Sequence, residues 1–108
     1  MTNKVSVIIP AYNSAKFLAE TIESVLRQTY PVFEIVVVDD GSTDETKEVC
    51  SHYPIVKYIY QRNQGVVGAR NTGVRISKGE YLLFLDHDDC LLPRSVGSIA
   101  ICNLRNKW

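Results

Sequence analysis

Four short, largely apolar runs alternate along this chain with segments that place apolar residues at helical spacing. The runs cover residues 4–10, 33–38, 55–60 and 81–85, and each has the length and composition of a buried strand. Strands that alternate with helices pair in parallel, because each crossover returns the chain to the same edge of the sheet. The sequence therefore predicts an α/β fold, a doubly wound parallel sheet with right-handed crossovers.

The segments between these runs carry helix start and stop signals. Asn13 or Ser14 can cap the first helix, which must end before Pro31. Ser42 and Glu45 form a capping-box pattern at the start of the second helix. We expect a third helix from about residue 65 to residue 77, and a last helix that begins with the proline at position 93.

Composition favours one domain and argues against several kinds of partner. The chain has 108 residues with 12 basic and 12 acidic side chains, so its net charge is zero and gives no bulk attraction for nucleic acid or an anionic membrane. No apolar run approaches the roughly 18 residues of a membrane span, and the N-terminus lacks a signal peptide's apolar segment. We expect a single cytoplasmic domain over residues 1–108 with no membrane insertion, which could still act at a membrane face.

Several catalytic classes lack their motifs. The glycines of residues 65–73 do not match G-x-G-x-x-G, and no Walker A sequence is present. No Ser-His-Asp or Cys-His arrangement can be argued from the two histidines. The three cysteines, Cys50, Cys90 and Cys102, form no C-x-x-C pair, which favours reduced thiols over a zinc site or a disulfide.

Two of the predicted strands end in acidic residues. Asp86 and Asp88 follow the fourth run, and Asp39 and Asp40 follow the second. The carboxyl ends of parallel strands share one edge of the sheet, where open α/β folds bind ligands. A D-x-D by itself often marks a turn or a helix cap, but two acidic strand ends in one sheet favour a ligand site. Carboxylates of this kind suit a hard divalent cation, which prefers oxygen ligands.

Other side chains near the same edge could contact a nucleotide. Tyr12, just after Pro10, could pack its ring against a nucleobase, although a lone tyrosine after a strand is usually packing. A carboxylate of the 39–40 pair could accept hydrogen bonds from a base edge or a ribose hydroxyl. Arg70 could pair its planar guanidinium with a diphosphate, although an arginine in this position is more often in a surface ion pair.

Taken together, four segments resemble the N-terminal, nucleotide-sugar-binding half of family 2 inverting glycosyltransferases of the GT-A fold. They are VSVIIPAYN (5–13), VDDGSTD (38–44), GARNTG (68–73) and GEYLLFLDHDD (79–89), and they occur in the family's order and spacing. The resemblance covers residue 5 to about residue 93. It implies the family's strand order 3-2-1-4 and a nucleoside-diphosphate sugar as ligand, with UDP as the expected nucleotide.

The resemblance also implies a role for each matching position. Nucleotide-sugar-binding roles fall on Pro10, Tyr12, Asp39, Asp40, Arg70 and Asp86. Within this set, Pro10 and Tyr12 form a wall for the base, Asp40 reads the base edge and Asp39 supports the turn. Arg70 would lie near the diphosphate, and Asp86 near the ribose or donor sugar. Asp88 would bind the Mn2+ or Mg2+ that bridges the diphosphate.

In this family an acceptor hydroxyl attacks the anomeric carbon with inversion, and a carboxylate general base takes the proton. Family members continue well past the D-x-D, and this sequence has no acidic residue after Asp89. We therefore expect a donor domain, truncated relative to the family, without the general base and inactive as an isolated chain. The alternative is a non-catalytic nucleotide-sugar-binding module or an inert fragment.

A phosphoacceptor signalling domain would need an aspartate at the third strand end, where Tyr60, Gln61 and Arg62 stand. The resemblance has a further consequence for assembly. The fourth strand should lie at a sheet edge with an exposed apolar flank, because later elements of the family would otherwise cover it. We expect a homo-oligomer formed through this strand and the last helix.

Overall fold

The computed structural model describes residues 4–28 and 32–85. In chain order its elements are β1 (Val5–Ala11), α1 (Ala15–Leu26), β2 (Glu34–Asp39), α2 (Thr46–Ser51), β3 (Val56–Tyr60), α3 (Gly65–Ile76) and β4 (Tyr81–Phe84). The predicted strand–helix alternation is therefore confirmed through β4. The last predicted helix lies outside the described residues.

The strands form one parallel sheet in the order β3-β2-β1-β4. This order confirms the topology that the resemblance implied. The chain adds β2 and β3 on one side of β1 and then crosses to the other side for β4, so the direction of winding reverses between β1 and β4. Open α/β sheets bind their ligands at such a reversal, outside the carboxyl ends of the strands.

Side chains of the two central strands are buried on both faces of the sheet. On one face, Val7 and Val37 pack in a cluster with Leu18 of α1. On the other face, Ile8 and Val36 pack in a cluster that α3 covers. Two buried faces explain why β1 and β2 are mostly apolar, with no alternation of polar residues. The buried polar exception in β1 is Ser6, whose hydroxyl donates to the Glu34 carboxylate and accepts from the N–H of Gly79.

Gly73 lets α3 approach β1 closely. A Cβ at this position would lie 2.4 Å from Cγ2 of Ile8, whose side chain is fully buried. A β-branched side chain has few alternative rotamers in a packed sheet, so Ile8 has little freedom to move away. The glycine therefore sets the distance between helix and sheet.

The predicted capping box of the second helix is wrong. Helix α2 begins at Thr46, with Glu45 at its N-cap and no side-chain cap hydrogen bond. The Ser42 hydroxyl instead accepts a hydrogen bond from the backbone N–H of Asn13, 2.8 Å away. Ser14 does stand at the N-cap of α1, but its hydroxyl accepts from the N–H of Tyr12 and makes no cap hydrogen bond. The Ser42 side chain thus joins the loops that follow two strands, which a local pattern does not encode.

Strand β4 lies at the sheet edge, as expected, but the exposed apolar flank predicted for it is not found among the described residues. Leu83 and Leu85 belong to the cluster beneath α1 and α2, and Leu82 belongs to the cluster beneath α3. These three leucines are buried in the two clusters, one on each face of the sheet. Assembly through this strand remains a prediction. No helix in residues 4–28 or 32–85 is long and apolar enough to cross a membrane.

Replacing Gly73 with alanine should destabilise the domain. Overpacking in a core costs about 1–3 kcal/mol, whereas alanine's better helix propensity returns at most about 1 kcal/mol. Urea unfolding of Gly73→Ala should show the loss. The matched variant Val74→Ala, at an exposed position of the same helix, should change the free energy of unfolding by less than about 0.5 kcal/mol. A Gly73→Ala protein as stable as the unaltered chain would contradict the close packing of α3 on β1.

Candidate functional site

The carboxyl edge of the sheet collects four of the residues predicted for the site. Pro10 and Tyr12 lie at the end of β1, and Asp39 and Asp40 lie at the end of β2. The two strand ends are joined by a hydrogen bond of 2.8 Å from the N–H of Asp40 to the carbonyl of Ala11. Sequence segments about 30 residues apart thus form one surface.

Pro10 removes one of the hydrogen bonds that β1 could make toward β4. The carbonyl of Ile8 accepts a hydrogen bond from the N–H of Leu85 at 3.0 Å, so alternate residues of β1 direct their backbone groups toward β4. The next residue of β1 with this orientation is Pro10, which has no N–H. Pairing with β2 continues to Ala11, whereas the described pairing with β4 ends at Ile8. The missing N–H of Pro10 therefore removes a hydrogen bond on the side that faces β4, where the winding reverses, and removes none on the side that faces β2.

Tyr12 has an ordered backbone and an exposed ring. Its side chain is 49% exposed, while its N–H donates to the Ser14 hydroxyl at 2.9 Å. The next residue, Asn13, adopts a left-handed conformation with φ 48°, which asparagine tolerates better than most residues. The Asn13 side-chain oxygen accepts from the N–H of Thr43 at 2.8 Å. The turn that presents the Tyr12 ring is therefore held by the loop after β2.

The same loop satisfies the amino end of α1. A carboxylate oxygen of Asp44 accepts from the N–H of Ala15 at 3.1 Å, and the Thr46 hydroxyl accepts from the N–H of Ser14 at 2.9 Å. The first N–H groups of a helix have no partner within the helix, so these bonds replace a local cap. Partial burial favours the protonated acid, but the hydrogen bonds from Thr46 and Ala15 outweigh it and lower the pKa of Asp44 below its ordinary value.

Asp39 lies inside the structure, 1% exposed, and its two oxygens face different elements. One accepts from the N–H of Ser42 at 2.9 Å, and the other accepts from the Tyr58 hydroxyl of β3. Burial together with this hydrogen bond raises the pKa of Tyr58 above its ordinary value. Burial also raises the pKa of the nearby Cys50 thiol to about 12, with a contribution from the charge of Asp39. Cys50 is a free cysteine, and Cys90 and Cys102 lie outside the described residues.

Asp40 is 5% exposed, and its carboxylate joins the end of β2 to the start of α3. One oxygen, Oδ1, accepts from the Gln61 side-chain amide at 2.9 Å and from the N–H of Gln64 at 2.8 Å. The other oxygen, Oδ2, accepts from the N–H of Gly65 at 2.9 Å. A carboxylate has about four acceptor positions, so the donors among the described residues leave one, on Oδ2. Negative charge at the amino end of α3 is also favourable to the helix dipole.

Arg70 lies on α3 and reaches toward the end of β4. Its guanidinium carbon is 5.7 Å from the centroid of the Phe84 ring, a distance typical of a cation–π contact. Asp86 and Asp88 follow Phe84 closely in the chain and lie outside the described residues. Within residues 4–28 and 32–85, no group of three or more His, Cys, Asp or Glu side chains could hold a metal ion.

Sequence reasoning missed several residues that shape this edge, chiefly Asn13, Tyr58, Gln61 and Thr72. A signal existed for two of them. Gln61 directly follows a predicted strand, which is where site residues of parallel sheets stand, and Thr72 lies inside the GARNTG segment. Their partners belong to other elements, so only the folded geometry shows what they do.

Comparison with known proteins identifies the class to which this fold and edge belong. Residues 6–100 match the model of glycosyl transferase family 2. Because the match covers most of the chain, the protein belongs to glycosyl transferase family 2. The family named from its sequence segments is thereby confirmed.

Two curated relatives show how much of a longer protein the chain represents. It is 42% identical over 104 residues to glycosyltransferase GlyG of Streptococcus pneumoniae serotype 4, covering 92% of this chain and 35% of GlyG. It is 44% identical over 96 residues to chondroitin synthase of Escherichia coli, covering 85% of this chain and 14% of that protein. The chain thus spans about a third or less of these relatives.

Solved structures agree on the fold. S. aureus TarS 1-349 in complex with UDP-GlcNAc superposes with a TM-score of 0.85 at 36% identity, covering 91% of this chain and 30% of that one. The mannosyltransferase PcManGT from Pyrobaculum calidifontis, in complex with GDP-Man and Mn2+, gives a TM-score of 0.80 at 29% identity, covering 94% and 32%. The four-stranded α/β sheet is shared with structures that contain nucleotide sugars.

Acid should weaken the contact between the two loops of this edge. Since the folded-state pKa of Asp44 is depressed, its contribution to stability is present above the ordinary carboxylate pKa and is lost as pH falls through the depressed value. The thermal midpoint of Asp44→Asn should lie below that of the unaltered chain at neutral pH, and the two should converge in acid. The control is Glu45→Gln, at the exposed neighbouring carboxylate. A gap between Asp44→Asn and the unaltered chain that persists undiminished in acid would contradict the role of the charge.

Proposed function

We propose that this chain is the donor-binding part of a glycosyltransferase and that it binds a UDP-sugar at the carboxyl edge of β1 and β2. The observation that carries the proposal is the Asp40 carboxylate, which is nearly buried and on which the donors of the described residues leave one acceptor position. The half-exposed Tyr12 ring lies at the end of the adjoining strand. A flat aromatic ring next to a fixed hydrogen-bond acceptor suits a nucleobase.

The number of acceptor positions on Asp40 favours uracil over guanine. Uracil presents one imide N–H between two carbonyl groups, and one acceptor position is what the described donors leave on Oδ2. Guanine presents two adjacent N–H groups and would use both oxygens of a carboxylate, but Oδ1 already accepts two hydrogen bonds. TarS has been crystallised with UDP-GlcNAc and with UDP, which supports the same choice, whereas PcManGT carries GDP-Man.

The diphosphate would lie toward β4. Arg70, beside the Phe84 ring at the end of that strand, can pair its guanidinium with phosphate oxygens. Asp88, with Asp86 two residues before it, would supply oxygen ligands for Mn2+ or Mg2+, as the donor chemistry of carboxylates suits. When bound, the cation offsets the negative charge that develops on the departing nucleoside diphosphate. Mn2+ in the PcManGT structure supports a divalent metal.

The described residues supply binding groups and no evident nucleophile. With its pKa raised to about 12, the Cys50 thiol stays protonated at neutral pH, and its side chain is 4% exposed. Direct attack by an acceptor hydroxyl, with inversion, needs no enzyme nucleophile. We assign donor binding to these residues, and we expect the general base and the acceptor site to belong to other parts of a complete enzyme.

Titration of the 108-residue chain with UDP in the presence of Mn2+ tests the proposal by calorimetry. Asp40→Asn should weaken binding at least about tenfold, because a hydrogen bond to a charged group is worth roughly 1.5–3 kcal/mol. Tyr12→Ala should weaken it by a similar factor through the loss of base stacking, which is worth about 1–3 kcal/mol. The matched control is Phe33→Ala, which removes a ring of similar exposure from the opposite edge of the sheet, where the Phe33 N–H bonds the Val5 carbonyl. Equal losses in all three variants would count against the site.

The same titration in EDTA, and with Asp88→Asn in Mn2+, tests the metal. Carboxylates beside a diphosphate repel it until a cation intervenes, so both changes should weaken UDP binding. The neighbouring variant Asp89→Asn serves as the control for a general loss of negative charge. Unchanged affinity in EDTA would remove the metal from the proposal and leave base recognition standing.

A further inference from the structure

Gln61 and Thr72 form a chain of hydrogen bonds that ends on Asp40. The Thr72 hydroxyl on α3 donates to the side-chain oxygen of Gln61 at 2.6 Å. The side-chain amide of Gln61 in turn donates to Oδ1 of Asp40 at 2.9 Å. Gln61 is also fixed through its backbone, because its N–H donates to the Asp39 carbonyl at 2.9 Å. Three elements of the fold thus meet on one carboxylate.

The chemistry of the three side chains determines which group donates and which accepts in these hydrogen bonds. An ionised carboxylate only accepts hydrogen bonds, so Gln61 must turn its NH2 group toward Asp40. Its amide oxygen then faces Thr72, whose hydroxyl must donate. That hydroxyl has a single proton, and its other contact, the Gly68 carbonyl at 3.1 Å, is longer. Thr72, 7% exposed, therefore fixes the orientation of the Gln61 amide.

The consequence concerns which oxygen of Asp40 a ligand can use. Gln61 and the N–H of Gln64 occupy Oδ1, whereas Oδ2 receives the N–H of Gly65 among the described donors. Without the Gln61 amide, Oδ1 would regain an acceptor position, while the N–H groups of Gln64 and Gly65 would still hold the carboxylate in place. A ligand could then meet an acceptor on either oxygen, and two alternative acceptors would discriminate less well between bases than one.

We propose that Gln61, oriented by Thr72, is a positioning residue that makes Oδ2 of Asp40 the oxygen that meets the ligand, and so sets selectivity for uracil over cytosine. The inference rests on the proposed function. The proposed function gives Asp40 the role of recognising the base, and the inference adds the residues that orient its carboxylate. Uracil offers a ring N–H to the acid, and cytosine has an unprotonated ring nitrogen at the same position, so a fixed acceptor repels it.

The test measures UDP and CDP affinities of the full chain in Mn2+ for Gln61→Ala, Thr72→Val and Thr72→Ser. Gln61→Ala should lower the ratio of UDP to CDP affinity about tenfold, the usual effect of one hydrogen bond to a charged group. Thr72→Val has nearly the same shape but no hydroxyl and should lower the ratio in part, whereas Thr72→Ser should restore it. Gln28→Ala is the matched control, because its amide bonds the Ser24 carbonyl at the far end of α1.

A structural role alone would lower thermal stability and both affinities together, leaving the ratio unchanged, and that result would overturn the inference. A drop in UDP affinity for Asp40→Asn with an unaltered ratio for Gln61→Ala would overturn the inference and keep the proposed function. Failure of the unaltered chain to bind UDP would overturn the proposed function and the selectivity role together.

A measurement without nucleotide tests the geometry by itself. The side-chain NH2 resonances of Gln61 should shift in Thr72→Val, return in Thr72→Ser and shift in Asp40→Asn. Resonances that are the same in all of these proteins would show that Gln61 does not bond Asp40, which would overturn the inference even if UDP binds.

Discussion

The burial of β1 and β2 on both faces is the constraint on which this structure depends. Strands covered on both faces carry few polar side chains along their length, so most polar groups near these two strands lie where the strands end. Helices α1 and α3 begin at the same edge, and their first N–H groups need acceptors. The end of β2 and the loop after it supply acceptors for both helices. Asp44 accepts from the start of α1, and Asp40 accepts from the start of α3.

In this arrangement the acids of the VDDGSTD segment accept structural hydrogen bonds from the described residues, which leaves few of their acceptor positions for a ligand. Asp39 accepts hydrogen bonds from Ser42 and Tyr58, and Asp44 accepts hydrogen bonds from Ala15 and Thr46. Asp40 differs because one acceptor position is left on it by the described donors. A carboxylate that is already held in place loses little freedom when it accepts one more hydrogen bond, which favours recognition.

Much of the fold could be predicted from the sequence, because long apolar runs and helical spacing are local signals. The strand order came from the family resemblance. The capping box at Ser42 and Glu45 failed for a physical reason: the pattern describes local capping, while β1 and β2 are neighbours and their loops bond each other. The exposed flank expected on β4 is not found either, since Leu82, Leu83 and Leu85 are buried in the clusters on the two faces of the sheet. The position of Asp40 followed from its strand, whereas its link to Gln61 and Thr72 depends on how α3 lies on the sheet.

The central claim is that a nucleotide binds at the carboxyl edge of β1 and β2 through Asp40. Backbone amide chemical shifts of the isotope-labelled chain, recorded with and without UDP in Mg2+, test it most directly. We expect the amides of Tyr12, Asp40 and Gly65 to shift on addition of UDP, since all three lie within or bond to the site. Amides at the opposite edge, such as that of Phe33, should not shift. Shifts confined to the opposite edge, or the absence of any shift at Asp40 and Gly65, would contradict it.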